Sequence, residues 1–215
     1  MRCDEINKGS KYRLRKIFKP LVIQIAKLFI KLNITPNVIS IICFLTALLA
    51  SIIFFLYNYW FIPIIFGILI FFTGLLDGVD GTVARRTGQV TTKGGFLDSI
   101  LDRYSDSILY LGFMKYYYLD ISFLNVPIYI WIFLSILGTI LTSYSRANAE
   151  KLLQDYNCDI GLGARSERLF ILAVANWALN PLIGLFILTI VSLSTAIYRQ
   201  IKYASQIKKL NSNRT

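Results

Sequence analysis

Four aspartates, Asp77, Asp80, Asp98 and Asp102, recur at helical spacing within the stretch LLDGVDGTVARRTGQVTTKGGFLDSILDRYSD, which long apolar runs flank on both sides. Asp77 and Asp80 are three residues apart and Asp98 and Asp102 four apart, so on helices each pair shares a face, one carboxylate above the other. Two such pairs converging from two helices make an oxygen-rich, strongly negative box. That box suits a hard divalent cation such as Mg²⁺, with phosphate oxygens able to complete the coordination. Carboxylates at membrane depth are expensive and point to a site whose partner offsets the charge. The bland alternative is four helix-end carboxylates wetted at the interface or paired with Arg85, Arg86 and Arg103. A purely structural role does not demand the joint spacing of all four with the glycines between them.

The elements that must position these groups read as membrane helices. The chain has 215 residues, 55% hydrophobic and only 16% charged, where a soluble domain carries about a quarter charged residues. Six spanning helices are predicted, at about 37–57, 61–86, 95–118, 125–149, 165–179 and 181–205. The fold class is therefore all-α integral membrane. A basic amphipathic stretch, Tyr12–Leu32, precedes the first span and alternates Lys and Arg with apolar residues at helical spacing, as in a helix lying in the cytoplasmic headgroup layer. Lys16, Lys19, Lys27 and Lys31 argue against its spanning. No cleavable signal peptide is expected ahead of it. The implied organisation is a cytoplasmic interfacial segment at 1–32, a six-helix domain at 33–208 and a tail at 209–215. Of 23 Lys and Arg, only Lys115 falls near a loop that six crossings put outside. Both termini and the acidic box are then cytoplasmic, in a multi-pass cell-membrane protein.

The same residues exclude several functions. A net charge of +11 concentrates against the anionic leaflet, and no nucleic-acid-binding motif accompanies it. The chain has no histidine, and Cys3, Cys43 and Cys158 lack metal-ligand spacing, which argues against a zinc site and removes an imidazole base. Proton transfer falls to carboxylate, Lys, Tyr or water.

At every defined position, Asp77, Asp80, Gly81, Ala84, Arg85, Gly94, Asp98 and Asp102 match the signature of the CDP-alcohol phosphotransferase family, which this chain resembles from about Asn33 to Arg199. The resemblance implies that Asp77, Asp80, Asp98 and Asp102 bind metal, a pair of Mg²⁺ or Mn²⁺ ions. It implies that Asp102 also takes the proton of the incoming hydroxyl. By the same resemblance Pro36, Asn37, Gly81, Arg85 and Thr91 contact the CDP-lipid, and the protein is expected to form a homodimer. The glycines fit a bulky ligand approached by backbone, although Gly74 and Gly78 also fit close helix packing.

A second constellation is basic: Arg146 in SYSRANAE, Arg165 and Arg168 in ARSERL, and Arg199 in TAIYRQIK. Arginine's planar fork suits phosphate, while positive-inside anchoring is the ordinary reading of any one of them. SYSRANAE and ARSERL resemble segments of the phosphatidylinositol phosphate synthases and their archaeal ether-lipid counterparts. In that subfamily, residues matching Arg146, Arg168 and Arg199 hold the phosphate of inositol 1-phosphate. Asn148, Ala164 and Ser166 depart from its pattern. Asp106 is expected either to assist the acceptor or to pair with Arg103.

The expected reaction moves a phosphatidyl or archaetidyl group from CDP-diacylglycerol or CDP-archaeol to the hydroxyl of inositol 1-phosphate, releasing CMP. Glycerol 3-phosphate is the alternative acceptor. From a different class, a divalent-cation transporter would use the acidic box as a translocation site. It would need polar residues continuing to the far side, and SIIFFLY, YLGFMKYYY and LIGLFIL offer few. A non-catalytic membrane subunit would give no reason for the complete signature.

Overall fold

The computed structural model describes residues 14–153, 160–161 and 163–212. The start of the amphipathic stretch at Tyr12, Cys3, Cys158 and the end of the C-terminal tail lie outside the described residues. The elements run α1 (Leu14–Ile17), α2 (Lys19–Lys31), α3 (Pro36–Leu56), α4 (Ile62–Thr87), α5 (Thr92–Leu111), a 3₁₀ turn (Gly112–Met114) and α6 (Lys115–Tyr118). A hairpin, β1 (Ser122–Phe123) and β2 (Val126–Pro127), then leads to α7 (Ile128–Leu152), α8 (Arg165–Trp177) and α9 (Pro181–Ser212).

Among the described residues four helices, α3, α4, α7 and α9, are long and apolar enough to cross a membrane, so the chain is a multi-pass, mostly helical membrane protein. Proline and turn residues set their starts. Asn33 takes a left-handed conformation at φ 53, Pro36 sits at the first turn of α3 after an extended Thr35, and Pro181 opens α9 after Asn180. Proline suits that place because its missing N–H has no intrahelical acceptor there anyway.

Three predicted spans differ in detail. The third was expected over 95–118, but α5 ends at Leu111 and the chain tightens into the 3₁₀ turn before α6. The fourth starts later, at Ile128, because 122–127 form the hairpin: Leu124 and Asn125 both have positive φ, 55 and 59. A two-residue loop with that geometry matches the right-handed twist of its strands. The fifth, α8, has 13 residues, a helix of about 20 Å against a hydrocarbon core of about 30 Å.

Two apolar cores hold the bundle. One is centred on Phe54, Phe66 and Phe113, where α3, α4 and the 3₁₀ turn meet, with the Phe54 and Phe66 rings stacked 4.1 Å apart. The other joins Val22 and Ala26 of α2 to Ile39 and Cys43 of α3 and to Leu75, Leu76, Val79 and Val83 of α4. The lysines of α2, Lys19, Lys27 and Lys31, remain exposed, while its buried Val22 and Ala26 pack in this second core. Hydroxyls join α7 to α9, with Ser135 and Thr189 2.6 Å apart and Thr142 donating to the Ser192 carbonyl at 2.9 Å. Such groups find partners inside a bundle because lipid offers none.

Candidate active site

The two aspartate pairs stand on α4 and α5, joined by a short, doubly capped turn. Gly88 closes α4 at φ +68, a left-handed cap that glycine adopts without a Cβ penalty. Its N–H and that of Gln89 both reach back to the Ala84 carbonyl. Thr91 opens α5, its hydroxyl accepting from Gly94 N at 3.0 Å, as an N-cap does. A Cβ on Gly94 would stand 2.9 Å from Thr91 Oγ1 and 3.0 Å from Asn37 Oδ1, so a larger residue here would displace the Thr91 cap and the Asn37 side chain. Gly78, in contrast, is a packing position, where α2 approaches α4 through Val22.

This turn brings the pairs face to face. One carboxylate oxygen each from Asp77, Asp98 and Asp102 lie within 4.8 Å of one another. Oxygen ligands around an octahedral Mg²⁺ at about 2.1 Å stand roughly 3 to 4 Å apart, so small side-chain rotations would make one shared shell. All-oxygen donors of this charge fit a hard divalent cation. Asp80 points slightly aside: Ser40 of α3 donates to Asp80 Oδ2 at 2.8 Å and Gly81 N to Oδ1 at 2.5 Å. It is 5% exposed and still borders the same space.

The cations that meet these carboxylates come from α8. Arg165 Nη1 lies 2.5 Å from Asp77 Oδ1 and 2.5 Å from Asp102 Oδ1, and its Nε is 3.2 Å from Asp106 Oδ1. Arg168 Nη2 pairs with Asp106 Oδ2 at 2.7 Å. Arg103, one of the two alternatives left open for Asp106, donates to the carbonyl and hydroxyl of Ser99. The two α8 guanidinium groups therefore contact three of the five carboxylates around the site, Asp77, Asp102 and Asp106.

Two adjoining cavities complete the site. One of about 440 Å³ is lined by Asp77, Asp80, Asp98 and Asp102, by Arg103, Arg146 and Arg165, and by Phe18, Val22, Phe71 and Phe170. The second, of about 280 Å³, is lined by Pro36, Asn37, Gly81, Arg85 and Thr91, all five residues predicted to meet the nucleotide. Asp80 and Asp98 border both.

The predicted acceptor arginines divide. Arg146 and Arg165 line the larger cavity, and Arg146 also pairs with Glu150 at 2.7 Å. Arg168 and Arg199 are buried, at 2% and 3% exposure. Arg168 Nη1 donates to the Gly163 carbonyl at 2.6 Å, and Arg199 donates to the carbonyls of Ile160 at 2.8 Å and Thr142 at 2.7 Å. These two brace the segment before α8 against α5, α7 and α9. Sequence reasoning missed Ser40 altogether, because a lone hydroxyl in an apolar helix most often bonds its own backbone. It also left open the partners of Asp106.

Comparison with known proteins shows the family and the fold. A family profile described as CDP-alcohol phosphatidyltransferase matches residues 33–198. Archaetidylinositol phosphate synthase of Pyrococcus horikoshii is 38% identical over 184 residues, covering 86% of this chain and 90% of that protein. Phosphatidylinositol phosphate synthase of Cutibacterium acnes is 30% identical over 155 residues, 70% of each. The crystal structure of Mycobacterium tuberculosis phosphatidylinositol phosphate synthase with CDP-DAG bound superposes with a TM-score of 0.68 at 23% identity, covering 86% of this chain and 94% of that one. The same enzyme in complex with manganese and citrate gives 0.67 at 23% identity, over 85% and 88%.

Proposed function

The chain belongs to the CDP-alcohol phosphatidyltransferase family, and from that premise we propose that it transfers a phosphatidyl or archaetidyl group from a CDP-lipid to a hydroxyl of inositol 1-phosphate, releasing CMP. One observation carries the reading: three carboxylates with ligand oxygens within 4.8 Å of one another adjoin a cavity that gathers every residue predicted to meet the nucleotide. The relatives named for inositol phosphate chemistry support the choice of acceptor.

Asp77, Asp80, Asp98 and Asp102 would hold the metal, a pair of Mg²⁺ or Mn²⁺ ions. When bound, the metal neutralises the diphosphate and makes the CMP phosphate a better leaving group. Pro36, Asn37, Gly81, Arg85 and Thr91 bind the cytidine end of the donor, while Phe18, Phe71 and Phe170 form an apolar flank along which its tails stay in lipid. Arg146 and Arg165 orient the acceptor phosphate, and Arg168 and Arg199 support the segment that carries Arg165. Asp102 accepts the proton of the attacking hydroxyl as the new P–O bond forms and the bond to CMP breaks.

In the membrane we assign six crossings, to α3, α4, α5, α7, α8 and α9, with α2 in the cytoplasmic headgroup layer, both termini and the site on the cytoplasmic side, and a homodimer as the assembly. The domain limits follow: 1–32 interfacial, 33–208 catalytic, 209–215 tail. The exposed lysines of α2 and the basic surroundings of the site support that orientation.

The test is CMP release by detergent-purified protein given CDP-diacylglycerol or CDP-archaeol with Mg²⁺ or Mn²⁺. Inositol 1-phosphate should sustain turnover. Turnover with glycerol 3-phosphate instead would move the protein to the alternative acceptor, and no CMP with any pair would end the transferase reading.

A further inference from the structure

Arg165 stands where the chemistry of the site asks for a cation. Its Nη1 lies 2.5 Å from an oxygen of Asp77 and 2.5 Å from an oxygen of Asp102. Those carboxylates are two of the three whose oxygens cluster as a metal-ligand set. A divalent ion on Asp77 and Asp102 and the guanidinium claim the same carboxylates, and two positive charges a few ångströms apart repel strongly in a partly buried site.

One further detail shows that this guanidinium is not fully satisfied. Nη2 is buried without a hydrogen-bond partner, and a buried donor left unmatched costs about 1–3 kcal/mol. Nε, by contrast, has its own anchor on Asp106 at 3.2 Å, so the planar head can turn without losing its tether. The side chain also lines the cavity beside Arg146, which gives it somewhere to turn.

We propose that Arg165 is an exchangeable internal cation. It neutralises Asp77 and Asp102 until a divalent ion takes their oxygens. It then swings on its Asp106 contact and offers its fork to the phosphate of the acceptor. Occupancy by metal thereby prepares the acceptor site, and by linkage phosphate binding tightens metal binding by the same factor. The inference rests on the metal-dependent transferase reading above.

The experiment titrates Mn²⁺ into the detergent-purified full chain by electron paramagnetic resonance, comparing wild type with Arg165→Gln and Arg103→Gln. Arg103 borders the same cavity but donates to Ser99, so it controls for loss of charge alone. Arg165→Gln should bind Mn²⁺ about tenfold more tightly, within the roughly 5- to 150-fold range usual for linked sites, while Arg103→Gln should fall short of that range. Equal tightening in both variants, or none in Arg165→Gln, overturns the exchange and leaves the enzyme reading intact. Wild-type protein that binds no Mn²⁺ overturns both.

Because substituting a buried arginine can prevent folding, a second measurement uses the wild-type chain. Phenylglyoxal modification of Arg165, followed by mass spectrometry, should be faster in Mn²⁺ than in chelator, since exchange turns the guanidinium into the cavity. A rate unchanged or slowed by Mn²⁺ refutes the proposal.

Discussion

Asp106 and Arg168 form a buried ion pair, Nη2 to Oδ2 at 2.7 Å, with both side chains 3% exposed. Removing one partner leaves the other charge buried and unmatched, which typically costs about 3–5 kcal/mol. Arg168→Ala and Asp106→Asn should each lower the melting temperature of purified protein markedly. Arg168→Ala should therefore fail through folding before any effect on the acceptor's KM is seen; normal stability with a raised KM would restore Arg168 to direct phosphate contact.

Ser40 ties α3 to the acidic box through Asp80. Ser40→Ala removes one donor from a buried carboxylate, a loss of about 1–3 kcal/mol in hydrogen bonding to a charged group. Turnover should fall severalfold at limiting metal and recover in excess Mn²⁺. A deficit that excess metal does not relieve would detach Ser40 from metal binding.

Asp102→Asn removes the proposed base but keeps the shape of the side chain. CMP release should drop by about 10²- to 10⁴-fold, the range that general acid–base groups contribute, with CDP-lipid binding largely retained. Near-normal turnover would take Asp102 out of that role.

Mg²⁺ or Mn²⁺ should raise the melting temperature, because an ion that binds the folded carboxylate cluster and not the unfolded chain stabilises by mass action, about 2.7 kcal/mol at a hundredfold excess over Kd. Asp98→Asn should blunt the shift. A melt indifferent to both ions would badly weaken the metal assignment.

Arg146 lies at the cavity rim, so Arg146→Ala should raise the KM for inositol 1-phosphate several-fold with the donor's KM unchanged. Equal increases in both would mean that the residue shapes the cavity as a whole.

The acidic site was legible in the sequence because its spacing is local. Asp77 and Asp80, like Asp98 and Asp102, lie within one helical turn of each other, and helix geometry alone puts each pair on a common face. The long apolar runs of α3, α4, α7 and α9 were legible for the same reason. What periodicity did not reach was contact across the bundle. Nothing in a one-dimensional pattern distinguishes Arg165, which reaches Asp77, from Arg199, which caps the carbonyls of Ile160 and Thr142. Both sit in basic segments of similar sequence setting. The hairpin escaped because its loop is Leu124-Asn125 rather than the Asn-Gly or Asp-Gly that signals such a turn. The end of α5 escaped because Gly112–Met114 tighten into a 3₁₀ turn within an apolar run.

Only Gly88, Gln89, Val90 and Thr91 separate α4 from α5, and both helix ends beside them are capped. So short a hinge leaves the two halves of the acidic cluster little freedom to drift apart between catalytic cycles. An arriving ion would thus meet carboxylates whose backbone positions were set when the chain folded, and the entropy of gathering those backbones is lost once, at folding, and not again at every turnover.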